Sequence, residues 1–226
     1  MSLYDTEKKN YVFIGEAGCG KTELSVNLAR EIAKANTGAK TVLIDMDQTK
    51  GDYRSRDFGD ALSKYGVRTV SGPSTSDAPV VPPNVLVDLA DKDSFCVMDV
   101  GGNKAGAVMV GQFSDRINEG DCAVFFPVNP YRSFSNSREN ILRTLGQLKT
   151  VGNIHTARLI CNPNFGRETT KEDVLEGYRK TVDMLEGAGQ SIDILVVPGW
   201  IEITENEAAR HGLPEIHIID PVIEYI

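Results

Sequence analysis

The sequence predicts an α/β fold in three layers, a mostly parallel sheet with helices on both faces. Three observations carry that expectation. Short β-branched runs alternate with longer runs whose apolar residues recur at helical spacing. The strand-like runs are continuously apolar, as strands buried on both faces must be. The length of 226 residues and the 41% hydrophobic content suit one large domain, taken as residues 1–226.

Taken in order, YVFIG (11–15) reads as a buried strand. KTELSVNLAREIAKAN follows with Leu24, Leu28, Ile32 and Ala35 on one helical face, and Gly38 is a plausible stop. TVLIDMD (41–47) and FCVMDVGG (95–102) are the next strands, with a helix expected from about Lys104 to Asn118. DCAVFFPV (121–128) precedes a helix from Phe134 to Lys149, and ARLICN (157–162) precedes one from Lys171 to Glu186. SIDILVVP (191–198) is the last clear strand, and EIHIID (215–220) is a candidate edge strand. SGPSTSDAPVVPPN (71–84) is too rich in Pro and Ser for a regular element. It reads as a surface loop or as a partner-binding insertion.

Composition narrows the function. A net charge of −8 disfavours non-specific nucleic-acid binding, so DNA is an unlikely partner. No apolar run approaches the roughly 18 residues that span a bilayer. The opening MSLYDTEKKN lacks an apolar signal region, so a cytoplasmic location is expected. Cys19, Cys96, Cys122 and Cys161 lie far apart with no CxxC pair, which argues against a disulfide framework and a local metal cluster. His155, His211 and His217 show no ligand spacing.

GEAGCGKT (15–22) matches G-x-x-x-x-G-K-[ST] between an expected strand and an expected helix, the context the phosphate-binding loop requires. Gly15, Gly18 and Gly20 allow the tight turn. The backbone of Glu16, Ala17 and Cys19 completes a ring of N–H groups at a helix N-terminus, facing phosphates. Lys21 is expected to neutralise the outer phosphates and Thr22 to give its hydroxyl to Mg²⁺. Asp99 ends an apolar run and opens D-V-G-G, so its carboxylate falls in the ligand crevice as a second Mg²⁺ group. Gly102 is placed to meet a γ-phosphate and sense its loss. Asp45 and Asp47 share one side of their strand by alternation. For each, a catalytic reading stands beside that of a turn or cap former.

GEAGCGKTELSVNLA, VLIDMDQTKGD, VMDVGG and ICNPNFG, in that order, resemble the ParA/MinD branch of P-loop ATPases, over most of residues 11–200. The resemblance implies an ATP-dependent homodimer with nucleotide at its interface. It implies a water-positioning role for Asp47, a Mg²⁺ role for Thr22 and Asp99, and an adenine contact at Asn162, for which an Asn-Pro turn is the alternative. No N-K-x-D guanine signature occurs, which favours ATP over GTP. The span from Asp47 to Asp99 is short for the branch and resembles its compact members.

The departures from the branch are as informative. Its signature lysine, which reaches the partner subunit's phosphates, is replaced by Glu16. A carboxylate there repels phosphate, so Glu16 is expected to point out of the pocket and away from metal. Lys50, Arg54 and Arg56 are candidates for the missing charge, or form a solvated basic loop. Paired cysteines of scaffold members and the basic amphipathic tail helix of division-site members are absent. Arg132, Arg138, Arg143 and Lys149, in and before the 134–149 helix, read as ordinary exposed charges. Cys19 reads as a small loop side chain, although a helix N-terminus can activate a thiol. Trp200 reads as packing, with the base pocket as the other reading. The function expected is an Mg²⁺-ATP-dependent switch acting on an unidentified protein partner. A small-molecule kinase or ligase on the same fold, and a binding module with little turnover, are the rivals.

Overall fold

A computed structural model of the protein describes residues 3–47, 54–72, 80–102 and 104–221, apart from the side chain of Arg56. Eight strands form one sheet: β1 (Asn10–Phe13), β2 (Lys40–Met46), β3 (Val67–Ser71), β4 (Ser94–Val100), β5 (Cys122–Val128), β6 (Arg158–Cys161), β7 (Ile192–Pro198) and β8 (Glu215–Ile219). Every pairing is parallel. The spatial order is β3-β2-β4-β1-β5-β6-β7-β8. The chain leaves β1 toward one edge and later returns to pass it on the other side. A crevice therefore opens above the carboxyl end of β1, where open α/β sheets bind ligands.

Among the described residues, eight α-helices connect the strands: α1 (Lys21–Ala35), α2 (Gly59–Ser63), α3 (Val85–Ala90), α4 (Lys104–Gly111), α5 (Ser114–Ile117), α6 (Arg138–Val151), α7 (Lys171–Leu185) and α8 (Glu205–His211). Strand alternation sorts the core. Tyr11, Phe13, Leu43, Val97 and Phe125 point to the α1 face, against Leu24, Leu28 and Ile32. Val12, Ile14, Ile44, Met98 and Val124 point the other way, against Met109, Val110, Ile141, Leu145 and Leu148 of α4 and α6. Fully burying side chains of this size contributes about 1.5–3 kcal/mol each, and this burial fixes the sheet that carries the site. No helix among the described residues is long and apolar enough to cross a membrane.

Four details depart from the sequence expectations. The helix expected over 104–118 is two, α4 and α5, because Gly111 lies against the end of α6: a Cβ there would sit 3.2 Å from the Val151 carbonyl oxygen. The helix expected from Phe134 begins at Arg138, where the Ser137 hydroxyl accepts from the Asn140 N–H, after a short 3₁₀ turn over Ser133–Ser135. The Gly38 stop is displaced to Asn36, which caps α1. α2, α3 and α8 give no signal because each is short, and β3 (VRTVS) gives none because it is only half buried and not a continuous apolar run. The Thr204-x-x-Glu207 capping box does mark the start of α8, although α8 buries no residue. Of the 71–84 segment, Ser71 closes β3, 80–84 lie outside helix and strand, and 73–79 fall outside the described residues.

The edge strand β8 carries a titration. His217 is 5% exposed, with Nε2 3.6 Å from the half-exposed Glu31 carboxylate. Burial nevertheless dominates and holds the imidazole down to about 4. The unfolded chain takes up that proton near pH 6.5 and the folded chain only near 4. Stability is therefore expected to fall by on the order of 3 kcal/mol as pH drops from 6.5 to 4. Melting curves at pH 7 and pH 4.5 should show a smaller acid loss for His217→Gln than for wild type. Equal losses would place the titration elsewhere.

Candidate functional site

The turn between β1 and α1 is built from its glycines. Gly20 caps α1 in a left-handed conformation (φ 93°), with no side chain occupying the first-turn N–H groups. A Cβ at Gly20 would collide with the Asn162 amide, so only glycine satisfies both the backbone and the contact. Those N–H groups remain directed into the crevice. The buried Lys21 folds back across the loop, and its ammonium donates to the Glu16 carbonyl oxygen at 2.8 Å.

The acids stand beside this loop through strand register. Asp99 on β4 is the partner of Phe13 on β1 and of Asp45 on β2, and both acids are fully buried. The Thr22 hydroxyl donates to Asp99 Oδ2 at 2.8 Å. Asp99 Oδ1 is buried without a hydrogen-bond partner in the described structure. Burial raises the Asp99 carboxyl to about 7; Lys21 opposes that rise, and Asp45 adds to it. One unpaired carboxylate oxygen beside one hydroxyl, at the mouth of a phosphate-binding turn, is a donor set that fits Mg²⁺.

Asp45 and Asp47 divide the two readings left open for them. Asp45 Oδ1 accepts from the Asp47 N–H at 2.9 Å, so Asp45 shapes the turn after β2. Asp47 is partly exposed, and its Oδ1 would lie 3.1 Å from a Cβ added at Gly101. Its carboxyl thus overhangs the D-V-G-G turn. Gly102 presses on the phosphate loop: a Cβ there would sit 2.6 Å from the Ala17 nitrogen. Only a residue without a side chain brings that turn so close.

Glu16 turns away from the loop interior. Its Oε1 accepts from the Thr144 hydroxyl of α6 at 2.9 Å. Glu16, Gly102, Lys104, Ala107, Thr144 and Leu148 line a cavity of about 370 Å³ between α4 and α6. Cys19 is fully enclosed, and desolvation raises its thiol, the opposite of an activated nucleophile. The Asn162 amide nitrogen donates to the Cys19 carbonyl at 2.9 Å, while its Oδ1 is buried without a partner. Trp200 does not pack into the sheet edge. It is 45% exposed, and its indole N–H donates to the Thr169 carbonyl oxygen.

Lys50 lies outside the described residues, as does the Arg56 side chain. Arg54 Nε lies 3.7 Å from Asp57 Oδ2. The residue that sequence reasoning passed over is Arg132. It precedes α6 on the turn after β5, and its Nε would lie 3.8 Å from a Cβ on Gly18. Position relative to a helix gave no signal for it. Its place two residues after the Asn129-Pro130 end of an apolar strand did, because such ends face the crevice.

The strand order, the phosphate-binding turn and the buried Asp99 define a class: this is a P-loop nucleotide-binding fold. Solved structures similar to the chain agree. They include cell division protein FtsY from Thermotoga maritima, with TM-score 0.57, 15% identity, and coverage of 87% of this chain and 64% of that one. FtsY from Mycoplasma mycoides gives TM-score 0.56 and 13% identity, covering 86% of this chain and 62% of that one. The signal recognition particle receptor FtsY from Elizabethkingia anophelis gives TM-score 0.51 and 17% identity, covering 85% and 60%. The chain thus spans less than two thirds of the length of these structures, and at such identities the likeness is one of fold. No protein-family model matches the sequence, and no curated protein matches it.

Proposed function

We propose that residues 1–226 form one nucleotide-binding domain that acts as an Mg²⁺-ATP-dependent switch of ParA/MinD type. In this reading, hydrolysis ends a homodimeric or partner-bound state. The observation that carries the reading is the Thr22–Asp99 hydrogen bond, with the second Asp99 oxygen unpaired beside Lys21. These groups would hold Mg²⁺ against the outer phosphates, where the cation supplies charge neutralisation when bound. Lys21, now on the Glu16 carbonyl, would exchange that acceptor for phosphate oxygen. Gly102, close against Ala17, would report whether a γ-phosphate is present.

The base assignment rests on Asn162. Its unpaired Oδ1 is an acceptor matched to the exocyclic amine of adenine, whereas guanine presents a carbonyl oxygen there. Calorimetric titration in Mg²⁺ should give ATP binding about tenfold or more tighter than GTP. Asn162→Leu, which removes the acceptor, should lessen that preference. Equal affinity for the two nucleotides would overturn the adenine assignment and leave the phosphate site standing.

A second reading is favoured by the cavity beside Glu16. A small acceptor seated there, between Lys104 and the Glu16–Thr144 pair, would make the chain a small-molecule kinase or ligase. Phosphate release by the purified protein, with and without a metabolite extract, separates the readings. Steady release without extract supports the ATPase. Consumption of ATP only with extract supports transfer, and no turnover in either supports a binding module.

A further inference from the structure

The phosphate loop of this chain carries one cation, Lys21, where the branch it resembles carries two. The acid that replaces the second is engaged by Thr144 and faces away. A nucleoside triphosphate bound to Mg²⁺ still carries net negative charge, so the site calls for another cation. Arg54 is drawn toward Asp57, by its backbone N–H at 3.1 Å as well as by its guanidinium.

Arg132 is differently placed. Its Cδ and Nε would each lie 3.8 Å from a Cβ on Gly18, so the side chain passes directly over the loop whose N–H groups face the phosphates. Among the described residues, no carboxylate pairs with it. The backbone that presents it is pinned on both sides. Its own N–H donates to the Asn129 carbonyl at 3.0 Å, and the Ser135 hydroxyl donates to the same oxygen at 2.6 Å. The preceding Tyr131 stacks on Phe165 at 4.1 Å, and its hydroxyl donates to the Asp173 carbonyl of α7. An exposed arginine on a fixed turn loses little backbone entropy on engaging an anion. Its planar fork suits two phosphate oxygens, which a lysine cannot match.

We propose that Arg132 supplies the second phosphate-contacting cation in cis, doing from the β5–α6 turn what the absent loop lysine would do from a partner subunit. The inference rests on the nucleotide-binding reading above. No partner subunit is then needed to complete the charge around the polyphosphate, and any nucleotide-dependent dimer serves recognition rather than charge supply.

The test compares wild type, Arg132→Ala and Arg132→Lys by calorimetry with ATP, ADP and AMP in Mg²⁺, and by phosphate release. Arg132→Ala is expected to lose about tenfold or more in ATP affinity or in turnover, with AMP affinity unchanged. Arg132→Lys is expected to recover part of the loss, keeping charge without the fork. Melting temperature should not move, since the side chain makes no hydrogen bond or ion pair among the described residues. An Arg132→Ala variant that binds and turns over ATP like wild type overturns the inference. So does a loss that extends equally to AMP, because that marks a disturbed loop. A wild-type chain that binds no nucleotide at all overturns the functional reading itself and the inference with it.

Discussion

Lys21→Ala is expected to abolish measurable ATP binding, a loss of at least about a hundredfold, or roughly 2.8 kcal/mol. The side chain is buried, so its ammonium is desolvated before any nucleotide arrives. Its one hydrogen bond in the described structure goes to the Glu16 carbonyl, 2.8 Å away. A neutral carbonyl compensates a buried ammonium poorly, and phosphate oxygens are better partners. The fold should survive the change. Lys21 is the first residue of α1, where alanine is well tolerated. Removing the cation also takes away the charge that holds the Asp99 carboxyl down, which pushes it further toward its neutral form. The variant should therefore lose Mg²⁺ together with nucleotide. Calorimetry with Mg²⁺-ATP, beside a melting curve to show the fold intact, checks both. ATP affinity within threefold of wild type would remove Lys21 from the site.

What could be read in the sequence divides by the range of the interaction. The helices α1 and α7 were legible because burial writes a periodic signal over their 15 residues each, and the seven-residue strands because they are continuously apolar runs. The phosphate turn was legible because left-handed backbone and close approach leave few residues but glycine. Strands such as β3, five residues with one face partly exposed, carry too little periodicity to stand out. The site shows the same division. Lys21, Thr22 and Asp99 come from contiguous motifs, and the structure brings them together. That Glu16 turns out of the pocket was an expectation from charge alone, but the partner that holds it could not be read, because Thr144 lies 128 residues away on another helix. Arg132 was read only as an exposed charge: the strand end before it points to the crevice, but which turn stands over Gly18 is decided by the strand order β1-β5.

The two aspartates that end β2 separate shape from chemistry, and the separation makes a sharp test. Asp45 is fully buried and receives the Asp47 N–H. The bond is made by the Asp47 backbone, so Asp47→Ala keeps it, and the turn should hold its form. What the substitution removes is the carboxyl that overhangs Gly101, beside the turn that presses on the phosphate loop. If that carboxyl orients the attacking water, Asp47→Ala should slow phosphate release by about a hundredfold or more, in the range of positioned acid–base groups. ATP affinity should change little, because the group acts on the water and the cost falls on the transition state. Asp47→Asn should recover part of that rate, since an amide still accepts a hydrogen bond from the water although it takes no proton. Asp45→Ala should behave differently, lowering the melting temperature as it releases the turn. Single-turnover phosphate release with ATP prebound separates the cases. An Asp47→Ala variant that hydrolyses at the wild-type rate would move the water-positioning role elsewhere.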